Sequence, residues 1–147
     1  MATALAQGRF GRDQRIRKRS EYRDIMGSGV RVSTPHCVFV VASREPNEQP
    51  PLRPRLGLVV SRRVGCAVLR NRFKRLVREV FRKWQSQWPP DAELVVIARE
   101  WSMDLKESVL AEEWSAASER IESALRRHRS RSSKRRDQTR IAPGAPC

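Results

Sequence analysis

The sequence has few of the residues that cross-link small domains through disulfides or bind metals. Its 147 residues include three cysteines and two histidines, and no two cysteines form a CxxC pair. Cys37, Cys66 and Cys147 are odd in number and far apart, which argues against a disulfide framework and against a zinc site. Reduced thiols of this kind are typical of a protein of the cytoplasm, and we expect that location.

Long apolar runs and aromatic residues are also scarce. Apolar residues make up 39% of the chain and aromatic residues 6%. No run approaches the roughly 18 apolar residues of a membrane span, and the first residues lack the charged start and long apolar stretch of a signal peptide. We therefore expect one small domain that neither crosses a membrane nor is secreted.

The chain lacks the local signatures of common catalytic sites. It has no HExxH, no GxSxG and no glycine-rich phosphate loop. His36 and His128 have no companions at metal-ligand spacing and no evident nucleophile to serve. We therefore expect no catalytic residue and no metal ligand in this chain.

Positive charge dominates what is present. There are 31 basic and 16 acidic residues, for a net charge of +15. The charge is segregated along the chain: it is +14 over residues 9–90, −6 over residues 91–125 and +7 over residues 126–147. Because a surface that only keeps a protein soluble mixes its signs, the segregation indicates binding to a polyanion.

The pattern of apolar residues predicts an alternation of helices and strands. A short helix capped by Ser20 is followed by two strands that flank a proline-rich loop, and a third strand precedes a final amphipathic helix. The predicted ranges are 20–27 for the first helix, 37–42, 55–61 and 93–98 for the strands, and a stretch within 104–127 for the final helix.

An amphipathic helix joins the last two strands. Its apolar residues recur at helical spacing, which also predicts that the two strands are parallel; they are Phe73, Leu76, Val77, Val80, Phe81 and Trp84. Between Arg62 and Lys83 there are nine basic residues and one acidic residue, Glu79. A solvated helix face usually interleaves acids for ion pairing, so this face favours an anionic partner.

The residues of this segment carry a more specific signal. Gly57-Leu58-Val59-Val60-Ser61-Arg62-Arg63-Val64-Gly65, followed by Ala67-Val68-Leu69-Arg70-Asn71-Arg72-Phe73-Lys74-Arg75, resembles the signature of the bacterial ribonuclease P protein family. The Arg70-Asn71-Arg72 triplet is the hallmark of that family, and the resemblance covers about residues 15–127. Cys66 stands where the family usually has asparagine.

The resemblance implies a fold, and the composition of the two ends adds a domain plan. The fold is an α+β (α/β) sandwich in which a small mixed four-stranded sheet packs with helices in the order α-β-β-β-α-β-α. It includes a left-handed βαβ crossover, against the usual right-handed rule. We expect a flexible arm over residues 1–14, a single domain over 15–127 and a disordered basic tail over 128–147.

The resemblance also implies a function. The family's enzyme is a ribonucleoprotein endonuclease that removes the 5′ leader from precursor tRNA, and its RNA subunit catalyses the reaction with Mg²⁺. The protein binds that RNA and the single-stranded leader, and it assists the metal-bound active state. No obligate protein partner is implied.

Carried over position by position, the resemblance assigns two sets of residues. The set implied to face the RNA subunit is Arg62, Arg63, Arg70, Asn71, Arg72, Lys74, Arg75 and Arg78. The set implied to bind the leader is Arg15, Arg17, Lys18, Tyr22, Met26 and Val40. Met26 and Val40 stand where aromatic residues are common in the family, and Tyr22 could instead be a packing residue of its helix.

Two other functions are compatible with the composition. One is a non-catalytic RNA-binding protein of ribosomal type. The other is a DNA-binding protein that inserts the helix over residues 68–84 into a major groove. The second is the weakest, because the chain has no other helix at helix-turn-helix spacing.

Overall fold

The computed structural model describes residues 10–44, 53–99 and 105–141, with side chains described through residue 135. The elements follow one another in the predicted order α-β-β-β-α-β-α. They are α1 (Arg19–Ser28), β1 (Val30–Ser33), β2 (Cys37–Ser43), β3 (Arg55–Val59), α2 (Ala67–Trp84), β4 (Ala92–Ala98) and α3 (Glu107–Ile141). The first strand, β1, is the one that the apolar pattern alone did not indicate.

The four strands form one mixed sheet in the order β1-β2-β4-β3. Strand β2 is antiparallel to both β1 and β4, whereas β3 and β4 are parallel and are joined through α2, as predicted. In this register Ile97 lies between Val38 and Val59. The hand of the βαβ crossover stays a prediction.

Helices α2 and α3 pack on one face of the sheet. Alternate strand residues such as Phe39 and Leu94 point to this face, where they meet Phe81 of α2 and Trp114 of α3. The Trp114 ring lies 5.0 Å from that of Phe39 in an edge-to-face contact. These aromatic side chains are fully buried, so the largest apolar cluster lies on the side of α2 and α3.

Helix α1 covers the other face of the sheet with a smaller cluster. Ile25 of α1 and the preceding Ile16 pack on Val40, Ala42 and Val95, all of which are buried. The helix begins after Lys18, not at Ser20 as predicted, and the Lys18 backbone N–H points to the Glu21 carboxylate. This smaller layer leaves the ends of the central strands less covered than the α2 side.

Residues 10–14, which fall within the predicted flexible arm, pack against the body of the protein. Phe10 packs edge-on against Phe81 of α2, and Gln14 is fully buried. The Gln14 side chain donates to the Gln85 side chain at 2.6 Å. Because a buried amide must find partners, this pair ties the segment to the end of α2. Residues 1–9 of the predicted arm lie outside the described residues.

Part of the predicted disordered tail, residues 128–141, is helical in the structure, because α3 continues through Ile141. His128 is 6% exposed and accepts a hydrogen bond from the Ser43 backbone N–H at 3.1 Å. Arg129 forms an ion pair with Asp91. These contacts hold the helix to the body beyond the predicted boundary, while residues 142–147 lie outside the described residues.

Strand β3 also ends earlier than predicted, at Val59 instead of Ser61. Ser61 precedes a short 3-10 turn over Arg62–Val64, and its carbonyl accepts the Val64 N–H at 3.1 Å. The turn redirects the chain toward α2, so Arg62 and Arg63 project at the end of the sheet and not from a strand.

Candidate RNA interface

The first predicted set of residues lies on α2 and the turn before it and is cationic except for Asn71. We call this set the α2 surface. Its members are exposed or half-buried, as expected for the side of α2 opposite the apolar stripe. They are Arg62, Arg63, Arg70, Asn71, Arg72, Lys74, Arg75 and Arg78.

A glycine turn orients the start of this surface. Gly65 has φ of 152°, a conformation that disfavours side chains, and a Cβ there would lie 3.0 Å from Leu69 Cδ1. Cys66 follows as the N-cap of α2. Its thiol is exposed, and the backbone N–H of Leu69 lowers the thiol pKa, as expected at a helix N-terminus.

The α2 surface has little internal neutralisation. The lone acid of the segment, Glu79, pairs with Arg82 at 2.7 Å, outside the predicted set. Across the described part of the chain, no side chain of the α2 surface forms an ion pair with a carboxylate. Uncompensated guanidinium groups on one face favour bidentate binding of phosphates.

Val68 is a surface residue that the sequence reasoning did not single out. Its side chain is 75% exposed, and it lies one helical turn before Arg72. An exposed apolar group among cations offers contact area to a sugar or a base. The sequence could have indicated this exposure, because Val68 falls outside the apolar stripe of α2.

The basic part of the second predicted set lines a pocket of about 320 Å³ beside α1. Arg15, Arg17 and Lys18 of the predicted leader set all border it. Arg12 and Arg55 join them, and neither was predicted. Arg55 lies at the start of β3, and the fold places it next to residues 12–18. Because it is about 40 residues away from them in the sequence, the sequence alone could not assign it to the pocket.

Two acidic residues reduce the net positive charge of this pocket. Glu21 and Asp13 also line it, and the Arg55 guanidinium lies 2.9 Å from the Glu21 carboxylate. Burial raises the pKa of Glu21, but the hydrogen bond and the charge of Arg55 outweigh it and leave that pKa below its usual value. The pocket therefore keeps Glu21 ionised while still holding five basic side chains.

Tyr22 lies over the backbone of β3. Its hydroxyl oxygen accepts the Leu58 N–H at 3.1 Å, and its ring lies against Gly57, where a Cβ would be 2.7 Å from Tyr22 Cε1. Tyr22 is half-buried and packs against the cluster beneath α1. Both readings of Tyr22, packing and base stacking, are therefore compatible with its position.

The burial of Val40 contradicts its assignment to the leader set as a contact residue. Its side chain is 0% exposed and packs under α1 beside Ile25. Met26 is half-buried at the border of the same cluster. Strand alternation explains the error: Val40 does point to the α1 face, but α1 crosses directly above it.

The next row of strand residues is open instead. Val38, Ile97 and Val59 are paired neighbours across β2, β4 and β3, and all three are half-buried. They form an apolar floor next to α1 that the sequence reasoning did not assign. The register of the strands was the missing information, because residues far apart in sequence meet only through it.

The two predicted sets come near each other at one point. Burial lowers the pKa of the half-buried Arg78, and the charge of Arg15 lowers it further, so the two guanidinium groups are close. Tyr22 interacts with the same Arg78. Arg78 of the α2 surface and Arg15 of the α1 pocket are therefore near enough for their charges to interact, and we call the α2 surface and the α1 pocket together the band of positive charge.

The described residues offer no ready-made metal centre. No three His, Cys, Asp or Glu side chains of residues 10–44, 53–99 and 105–135 come together as possible ligands. Within the described helices, no segment is long and apolar enough to cross a bilayer.

Comparisons with known proteins agree with this arrangement. The family model described as Ribonuclease P matches residues 10–122. The ribonuclease P protein component of Shouchella clausii is 43% identical over 88 residues, which are 60% of this chain and 69% of that protein. The one from Desulfovibrio desulfuricans is 43% identical over 90 residues, 60% of this chain and 66% of that protein.

Two solved structures share the fold. The RNase P protein of Staphylococcus aureus aligns with a TM-score of 0.65 and 27% identity, covering 76% of this chain and 97% of that one. The RNase P protein of Thermotoga maritima aligns with a TM-score of 0.63 and 28% identity, covering 73% and 96%.

Proposed function

The chain belongs to the ribonuclease P protein family, and from this premise we propose that it is the protein subunit of a ribonucleoprotein that removes the 5′ leader from precursor tRNA. The observation that carries the proposal is the α2 surface, a row of arginines that no carboxylate of the described residues neutralises. A non-catalytic RNA-binding protein of ribosomal type would share the charge, but the family match does not favour it.

The α2 surface binds the RNA subunit. Its side chains extend from a rigid helix and the turn fixed by Gly65, so their spacing is set before the RNA arrives. Such preorganisation lowers the entropy lost on binding. Arginine predominates over lysine here, which suits planar, bidentate contacts to phosphate oxygens.

The α1 side binds the single-stranded leader. Arg15, Arg17 and Lys18 supply cations for the phosphates in the α1 pocket, and Tyr22 supplies an aromatic face for a base. The floor formed by Val38, Ile97 and Val59 adds apolar contact area in place of Val40. A cationic groove with an aromatic platform binds single strands with little sequence preference.

The RNA subunit carries out the cleavage with Mg²⁺ that the RNA itself holds. The described part of the protein brings no cluster of metal ligands to this band of charge. Its contribution is to bind and orient the substrate and to offset phosphate repulsion in the folded RNA. The protein acts in the cytoplasm, where its free thiols Cys37 and Cys66 remain reduced.

Reconstitution tests this proposal. Protein and cognate RNA with Mg²⁺ are expected to cleave precursor tRNA faster than the RNA alone, and protein alone is expected not to cleave. A failure of the protein to stimulate cleavage would contradict the subunit role and favour the ribosomal-type alternative. Cleavage by protein alone would contradict the division of labour.

The leader contact has its own test. Replacing Tyr22 with Ala should weaken binding of precursor tRNA by about 1–3 kcal/mol if the ring stacks on a base. Tyr22→Phe is the matched control, since it keeps the ring and loses the hydrogen bond from Leu58. Binding of leaderless tRNA should be unchanged in both variants; an equal loss there would show that Tyr22 acts through the fold.

A further inference from the structure

The last part of α3 carries a cationic face outside the family match. The match ends at residue 122, whereas α3 runs to Ile141. The sequence has no acidic residue between Ser123 and Arg136. The exposed basic side chains of this part are Arg126, Arg127, Arg129, Arg131, Lys134 and Arg135.

Four of these side chains line up along the helix. Arg127, Arg131 and Arg135 are four residues apart, and Lys134 falls on the same side at about 100° per residue. The row is about 12 Å long at a rise of 1.5 Å per residue. We call these four residues the α3 stripe. Like charges at this spacing repel one another unless an anion lies across them.

The helix that bears the stripe is fixed to the body. His128 accepts the Ser43 backbone N–H at 3.1 Å, and its other ring nitrogen lies 3.3 Å from the Ser28 hydroxyl. Arg129 contacts both carboxylate oxygens of Asp91. The stripe is thus presented in a set direction by contacts to α1, β2 and the start of β4.

The stripe lies at the end of the sheet remote from the start of the α2 surface. Ser43, which His128 contacts, pairs with Ala92 at the start of β4. Arg62 and Arg63 follow the end of β3, and β3 runs parallel to β4. The two cationic regions are therefore separated by the length of a seven-residue strand, about 20 Å.

We propose that the α3 stripe is a second RNA-binding surface, which contacts the phosphate backbone of the RNA partner at the end of the molecule remote from Arg62. The inference rests on the proposed function, which supplies RNA as the partner. RNA fits better than a membrane, because residues 126–136 include no apolar side chain that could enter a bilayer. Arginine-rich faces also match phosphate oxygens in geometry.

The test measures how binding of the full-length protein to the ribonuclease P RNA depends on salt. The variant Arg127→Gln, Arg131→Gln, Lys134→Gln and Arg135→Gln is expected to lower the slope of log K against log salt by about 2–4. Its affinity should fall at least about tenfold at moderate salt. The matched control, Arg127→Lys, Arg131→Lys, Lys134→Arg and Arg135→Lys, keeps every charge and should keep the slope.

A second variant separates an anchored surface from a flexible polycation. His128→Ala keeps all charges of the stripe and removes the contacts to Ser43 and Ser28. It should weaken RNA binding at least about threefold, because the helix then has to be ordered on binding. Unchanged affinity in His128→Ala would overturn the anchored surface.

The remaining outcomes separate this inference from the proposed function. An unchanged slope in the glutamine variant, while Arg72→Ala still lowers it, would overturn the second surface and leave the subunit role intact. If the glutamine variant loses binding to anionic phospholipid vesicles and keeps the RNA binding of the wild-type protein, the stripe is a membrane-binding surface, and this result would also overturn the inference. Failure of the wild-type protein to stimulate cleavage would refute the function itself.

Discussion

At the scale of single residues, Gly57 has a role that its neighbours define. The Tyr22 ring lies directly on it, and the Tyr22 hydroxyl accepts the N–H of the next residue, Leu58. A side chain at position 57 would push the ring away from β3. The position of the Tyr22 ring over β3 therefore depends on the lack of a Cβ at Gly57.

Gly57→Ala should lower the free energy of unfolding by roughly 1–3 kcal/mol, because the new Cβ would lie 2.7 Å from Tyr22 Cε1. Thermal unfolding measures this change. Gly27→Ala is the control: nothing lies within 4 Å of a Cβ there, and the residue is inside α1. It should be neutral or stabilising by about 0.5–1 kcal/mol. Equal effects of the two changes would contradict the contact.

Arg72 is exposed on α2 and belongs to the predicted triplet. Arg72→Ala should weaken binding to the ribonuclease P RNA and lower the magnitude of the salt slope by about one, as for one lost phosphate contact. Lys106→Ala removes an exposed charge just before α3 and should leave the slope unchanged. If Arg72→Ala also leaves the slope unchanged, Arg72 makes no phosphate contact.

At the scale of elements, periodicity was informative where one face is buried. The apolar stripe predicted α2 within a residue, and the unbroken apolar run predicted β4. It could not predict the C-terminal half of α3, because the residues after Leu125 carry no apolar stripe. That half is held by polar contacts of His128 and Arg129 to residues at least 38 positions away, which no local pattern contains.

His128 makes the attachment of α3 dependent on pH. Burial lowers the pKa of His128, and the charges of Arg131 and Arg135 lower it further. Its ring nitrogen must stay unprotonated to accept the Ser43 N–H. Among the described residues, the groups that interact with the ring are Ser43 and Ser28 from the other elements and these two arginines, and none of them is a carboxylate that would favour the charged form.

The sign of the pH effect follows. Because the folded pKa lies below the ordinary value of 6.5, the stabilisation is complete above pH 6.5 and is lost as the pH falls toward the folded pKa. Thermal unfolding should therefore show lower stability at pH 5.5 than at pH 7.5. His128→Ala should be less stable at pH 7.5 by about 1–3 kcal/mol and should lose this part of the pH dependence. Equal pH dependence of stability in the wild-type protein and in His128→Ala would contradict this role of His128.

At the scale of the whole molecule, the charge separates into faces. The α2 surface and the α1 pocket come near each other at Arg78 and Arg15, whose charges interact, and residues 107–122 of α3 present an acidic side. Which residues are cationic could be predicted from the sequence, as could their place on α2. The proximity of the two sets could not, because Arg78, Arg15 and Tyr22 come near each other only through the packing of α2, β3 and α1.

The acidic side gives a prediction for the molecule as a whole. Glu112, Glu119 and Glu122 are exposed on one side of α3. If that side faces away from RNA, replacing Glu112 and Glu119 with Gln should leave the salt slope unchanged and raise RNA affinity less than about threefold. These two lie about 12 Å or more along the helix from Arg127, and charges beyond a Debye length of about 8–10 Å are screened. Glu113 stays in place because it pairs with His36 at 2.5 Å. A tenfold gain in affinity would mean that this acidic side of α3 lies against the RNA and does not face away from it. The Arg72→Ala variant, measured in the same assay, is the reference for a lost RNA contact.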